Sequence, residues 1–340
     1  MPRRRSQEWL VAIGVAIATV TLLSAAVGLV RERHIPLEVF LAIIGTGIGV
    51  TLALVATKSI LTIRVIPTRI AIGGSHGVGK TVYANVVATR LAESDSDLLR
   101  FTPETLTAQH TYLALKELRS NRFPSRTPTS NIDRYRGTVE LLRQSPASRL
   151  LQGRIAIELE LGDSAGELWD EIADTADLRS ARLIESSFFE YVGESSALLY
   201  FIPADTLKED PEGVADQVDD LRSTLQILRS IDPERGSLLS KPVAVIVSKA
   251  DLLEPGELQA VRHTLGSSPS DFNPAILDPR FRASIERLEH LTILLNRQVR
   301  AYRGFAISAL RAVKAHSTAP DPLLRVEEPI EWIIREVLRS

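Results

Sequence analysis

Two long apolar runs open the chain, and after them the pattern changes. No charged residue occurs from Trp9 to Val30 or from Val39 to Thr57, and each run approaches the roughly 20 residues that carry a helix across a bilayer. The connector Arg31-Glu32-Arg33-His34-Ile35-Pro36 is too short to be a domain. The pattern therefore predicts a transmembrane hairpin occupying residues 1–66, with helices over about 9–30 and 38–60. The first run is longer than the core of a cleaved signal peptide and a second follows it directly, which favours a retained anchor. Arg3, Arg4 and Arg5 before the hairpin and Lys58, Arg64 and Arg69 after it outnumber the arginines of the connector. By the positive-inside rule both termini then lie in the cytoplasm, and the chain is a multi-pass protein of the inner membrane. Gly45 and Gly49 form a GxxxG spacing that suits close packing within the hairpin.

After Pro67, short apolar runs alternate with amphipathic stretches. This is the pattern of an α/β domain with a mostly parallel central sheet flanked by helices. Arg69 to Ile72, Gly153 to Gly162, Ala197 to Ile202, Val243 to Val247 and Gly304 to Ile307 read as strands. Thr81 to Leu91 and Gln217 to Ser230 read as helices, as does Glu328 to Leu338, where Pro329 sits at the start and residues 330, 333, 334, 337 and 338 form a core stripe. This second domain spans 67–340 and carries insertions at about 92–151 and 254–298. The first insertion is expected to hold helices over Glu104 to Ser120 and Ile132 to Arg143. The second is expected to be helical around a Pro/Ser/Asp-rich break from Ser267 to Pro279.

Composition changes this picture little. Apolar residues make up 44% and charged residues 24%, with a formal net charge of -2, which excludes a surface built throughout to hold nucleic acid. No nucleic-acid partner is expected. The absence of cysteine excludes disulfides, thiolate metal sites and a cysteine nucleophile.

The chemistry lies in short motifs at strand ends. Gly74-Ser75-His76-Gly77-Val78-Gly79-Lys80-Thr81 fits GxxxxGK[ST] between the first strand and its helix. Glycines there let successive N–H groups face phosphate oxygens, Lys80 reaches the β and γ phosphates, and the Thr81 hydroxyl ligates magnesium. Asp163-Ser164-Ala165-Gly166 is a DxxG at the end of its strand. In a GTPase the aspartate of such a motif holds magnesium through water and the glycine N–H senses the γ-phosphate, the roles that fall to Asp163 and Gly166. Ser248-Lys249-Ala250-Asp251 follows a buried strand and is similar to the [NT]KxD guanine motif. An aspartate accepts from the guanine ring N–H and exocyclic amine, which adenine cannot offer, while the lysine stem packs on the base. Serine in the first position is expected to weaken the bracing of the loop. The plainer reading of Asp251 is a helix N-cap or a surface Lys-Asp pair. Ser308-Ala309-Leu310 resembles the SAK/SAL loop whose backbone touches guanine.

In this order and strand context, residues 67–340 resemble the translation-factor-related class of P-loop GTPases, with a Ras-like G domain. More narrowly they resemble the bacterial double-GTPase type, through Phe123-Pro124-Ser125-Arg126-Thr127, Asp163 to Glu167, and Pro329 to Trp332. The resemblance implies GTP/GDP and Mg2+ as ligands, Lys80, Glu167 and Thr127 as catalytic residues, and a protein partner or second GTPase. Three features depart from Ras-like proteins. His76 stands where they have glycine, Glu167 replaces the water-orienting glutamine, and the switch threonine is either Thr127, Thr129 or a nearby hydroxyl. The first two imply slow hydrolysis. The expected function is a membrane-anchored switch acting on a partner at the cytoplasmic face. The alternatives are a nucleotide-binding scaffold or secretion component with little turnover, and an ATP-driven motor, which requires the SKxD sequence to be accidental.

Overall fold

The computed structural model describes residues 45, 63–93, 99–124, 132–141, 154–164, 187–231, 238–266, 277–314, 323 and 325–339. The chain divides into two units, Met1–Arg64 with Arg143–Ile155 and Val65–Leu142 with Ala156–Ser340. Apart from helical Gly45, the expected hairpin helices lie outside the described residues. Among the described residues no helix is long and apolar enough to cross a membrane.

The second unit is built on a seven-stranded, mostly parallel sheet in the order β2-β3-β4-β1-β5-β6-β7. Its strands are β1 (Ile63–Gly73), β2 (Leu99–Pro103), β3 (Ile132–Leu141), β4 (Arg154–Ser164), β5 (Ala197–Pro203), β6 (Val243–Ser248) and β7 (Tyr302–Ala306). The helices are α1 (Lys80–Glu93), α2 (Thr105–Arg119), α3 (Ser187–Glu194), α4 (Ala204–Glu209), α5 (Pro211–Ile231), α6 (Pro255–Thr264), α7 (Pro279–Gln298), α8 (Ala309–Lys314) and α9 (Glu328–Arg339).

Every residue of β5 and β6 is buried, as continuous apolar runs require when helices cover both faces of a parallel sheet. On one face Leu198, Tyr200 and Ile202 of β5 join Val245 and Val247 of β6 in a core with Leu221 and Leu225 of α5 and Leu288 of α7. On the other, the Tyr83 ring of α1 meets Phe201 edge-on at 5.0 Å between centroids. There α9 packs on β5 and β6, burying Ile330, Ile333 and Ile334.

β1 pairs in parallel with β5, β5 with β6, and β6 with β7. From β1 the chain crosses first to β2, β3 and β4 on one side, then to β5, β6 and β7 on the other. The order therefore reverses at β1. In open α/β sheets ligands bind beyond the carboxyl ends of the strands at such a reversal.

The first insertion corrects one expectation. Ile132–Leu141, expected as a helix, is strand β3, antiparallel to both β2 and β4. Its burial shows why, since Tyr135, Gly137 and Val139 are buried while Arg134, Arg136 and Glu140 are exposed. That is a period of two, and a helix would scatter these residues around its circumference. Strand β2 is not among the expected elements, whereas α2 lies where a helix is expected. β1 begins at Ile63, ahead of the boundary placed after residue 66.

Candidate functional site

The glycine-rich segment begins directly after β1 and ends where Lys80 opens α1. Gly74, Gly77 and Gly79 all have positive φ, at 122°, 74° and 91°, a region that side chains disfavour. At Gly74 a Cβ would also stand 2.6 Å from the Phe201 carbonyl oxygen of β5. Glycine is therefore required there by close approach as well as by backbone angle. The loop leads into the N-terminus of α1, where the first N–H groups of a helix lack intrahelical partners and the dipole's positive end favours negative charge. Lys80 is buried, and its Nζ donates to the carbonyls of Gly74 and, at 2.9 Å, Ser75. The loop's own first turn thus holds the ammonium group.

One residue further along α1, Thr81 Oγ1 donates to Asp163 Oδ2 at 2.6 Å. Asp163 is fully buried near the end of β4. The pair brings together a hydroxyl and a carboxylate, the hard oxygen donors that magnesium takes. Among the described residues no group of three or more His, Asp or Glu could hold a metal. These residues fit an ion held by few protein oxygens with phosphate and water completing its shell, as magnesium sites commonly are.

The opposite wall comes from β6 and β7. Ser248 is buried and its Oγ donates to the Val78 carbonyl at 2.7 Å. Serine therefore does brace the glycine-rich loop, with one donor where an amide would offer two. Lys249 takes a left-handed conformation, with φ of 52°, and its Nζ pairs with Asp205 of α4 at 2.6 Å. Asp251 lies exposed in the short 3-10 turn Ala250–Leu252. Ser308 follows β7, and the Ala250 N–H donates to the Ile307 carbonyl at 3.1 Å, tying the two loops together.

These segments enclose a cavity of about 410 Å3, within the range of small-molecule sites. His76, Gly77, Val78, Gly79, Lys80 and Thr81 line one part of it, and Ser248, Lys249, Asp251, Ser308 and Ala309 another. Gly166, Glu167 and Thr127 lie outside the described residues. Phe123 and Pro124, expected only as part of a switch turn, form a further wall, and the Phe123 ring stays largely exposed. Tyr83 also lines the cavity, and burial pushes its phenol well above the usual range, so the group is neutral.

Sequence reasoning missed two polar residues beside this cavity, Asp205 and Gln217. The Gln217 Nε2 of α5 donates to Ser75 Oγ at 3.2 Å. Neither belongs to a short motif, and both sit near the N-termini of helices whose sequences read as ordinary amphipathic segments.

A scan against protein-family models gives no match, and a search of curated proteins gives none either. The functional reading therefore rests on residues and geometry.

Proposed function

We propose that the chain is a membrane-anchored GTP-binding protein of the P-loop class that hydrolyses GTP slowly and acts as a regulatory switch on a partner at the cytoplasmic membrane face. One observation carries this reading. The GxxxxGK[ST], SKxD and SAL segments, far apart in sequence, line a single cavity at the carboxyl ends of strands beside the sheet's reversal point.

In this reading the glycine-rich loop and the N-terminus of α1 receive the β and γ phosphates, and Lys80 turns from the loop carbonyls toward them. Asp251 accepts from the ring N–H and amine of guanine, the Lys249 stem covers the base, and the Phe123 ring offers a stacking surface beside it. Thr81 and Asp163 are the residues that would hold magnesium, which when bound neutralises phosphate charge. Thr127 and Gly166 are the γ-phosphate sensors by motif order. Glu167 places a negative charge where Ras-like enzymes use an amide to orient water, which accounts for slow turnover. The two uncharged N-terminal runs support the anchor.

A second reading, a scaffold that retains nucleotide with little turnover, draws support from His76, whose side chain belongs to a residue lining the cavity in the loop itself. Purified full-length chain should bind labelled GTP at least about 100-fold more tightly than ATP, and release phosphate only with magnesium present. Equal affinity for ATP would sink the guanine assignment. Tight retention with no release, even with partners added, would favour the scaffold.

A further inference from the structure

We infer that Gln217 is a positioning residue for the phosphate end of the cavity, setting the first turn of the glycine-rich loop and through it Lys80. The inference rests on the phosphate-binding reading of that loop. Gln217 is 8% exposed, and among the described residues no hydrogen-bond donor reaches its buried Oε1. An unpaired buried amide oxygen is destabilising, and an apolar side chain of the same size would avoid that cost. Natural proteins break such packing rules at functional sites and offset the cost elsewhere.

The surrounding contacts say which function. The main-chain carbonyl of Gln217 accepts from Tyr200 Oη at 2.9 Å, and Tyr200 is fully buried in β5. This pins α5 to the sheet at that residue. From the pinned position Nε2 reaches Ser75 Oγ at 3.2 Å. The Ser75 and Gly74 carbonyls in turn accept from Lys80 Nζ. A continuous set of hydrogen bonds thus runs from β5 through α5 to the turn that cradles the lysine ammonium. None of these bonds involves Lys249 or Asp251, so the effect is expected on phosphate rather than on base.

The test measures binding of GDP, a non-hydrolysable GTP analogue and guanosine to the purified full-length chain, to Gln217→Leu, to Ser75→Ala and to the double variant. Each single change is expected to lower affinity for GDP and the GTP analogue about five- to tenfold. Guanosine binding should be unchanged, and the double variant no weaker than either single one. The melting temperature of Gln217→Leu should equal or exceed that of the parent, since the Tyr200 bond is kept and the unpaired amide removed. Unchanged GDP affinity, an equal loss for guanosine, a multiplicative double variant or a lower melting temperature overturns this inference alone. Failure of the parent chain to bind GDP overturns the site reading and this inference with it.

Discussion

The two halves of the sheet are built on different rules. β1, β5, β6 and β7 are joined in parallel, and β5 and β6 are buried along their whole length. β2, β3 and β4 form an antiparallel ladder in which burial alternates along β2 and β3. In the parallel half the segments after β1, β6 and β7 line the cavity and β5 adds Phe201, as a parallel sheet sends all its carboxyl ends the same way. The antiparallel half places Asp163 beside Thr81 and sends Phe123 and Pro124, from between β2 and β3, to the cavity wall. Most of the cavity lining thus comes from the parallel half, while the other adds Phe123, Pro124 and Ser164 to it and sets Asp163 against Thr81.

The strongest way to break this division is Lys80→Ala in the parallel half, which should lower GDP affinity about 100-fold or more by removing a charge-assisted phosphate contact. Equilibrium titration checks it, and the melting temperature should scarcely change. Thr81→Ala tests the junction between the halves. It should reduce the gain in affinity on adding magnesium about tenfold, while binding in chelator stays as in the parent.

Gly137→Ala should do the reverse. On β3 an added Cβ would collide with the Phe101 ring and stand 2.6 Å from the Thr102 carbonyl, at a cost of about 1–3 kcal/mol. Thermal unfolding should show a lower melting temperature with nucleotide affinity within about twofold of the parent. A large loss of affinity without a loss of stability would erase the distinction.

The smallest effect concerns pH. Burial, and after it the Asp163 carboxylate, raises the Tyr135 phenol above its ordinary 10.0, with the Tyr135 oxygen accepting from Asn85 Nδ2 at 2.9 Å. Above that pH the unfolded chain loses the proton while the folded chain keeps it. Stability is therefore full below about pH 10 and falls as pH rises beyond it, by up to about 1.4 kcal/mol per pH unit for this group. Tyr135→Phe should lessen that fall by this group's share in denaturant titrations, the buried phenols of Tyr83 and Tyr191 still contributing theirs.

The same division governs what is legible in the sequence. Ala197 to Ile202 and Val243 to Val247 announce themselves because two-sided burial writes uninterrupted apolar runs, and the cavity motifs sit at their ends. Ile132–Leu141 misleads because its inward positions are tyrosine, glycine and valine among charges, so the period of two is written weakly. The reason for glycine at 137 lies in its close approach to Phe101 on the neighbouring strand. Lys80, Asp163 and Asp251 stand out through spacing alone. Gln217 and Asp205 do not, because their roles arise from neighbours 142 and 44 residues distant. Ser248 reads as a weakened brace, yet its reach to Val78 depends on how closely β6 approaches the loop.

Central to the proposed function is that this cavity reads guanine through Asp251. Competitive binding of guanosine, xanthosine and adenosine diphosphates to the full-length chain and to Asp251→Asn tests it directly. The account predicts that the parent prefers GDP and that the variant loses about 100-fold in GDP affinity while gaining for xanthosine diphosphate, because an amide can donate to the extra ring oxygen. A parent that binds ADP as tightly as GDP, or a variant whose base preference does not move, would contradict it.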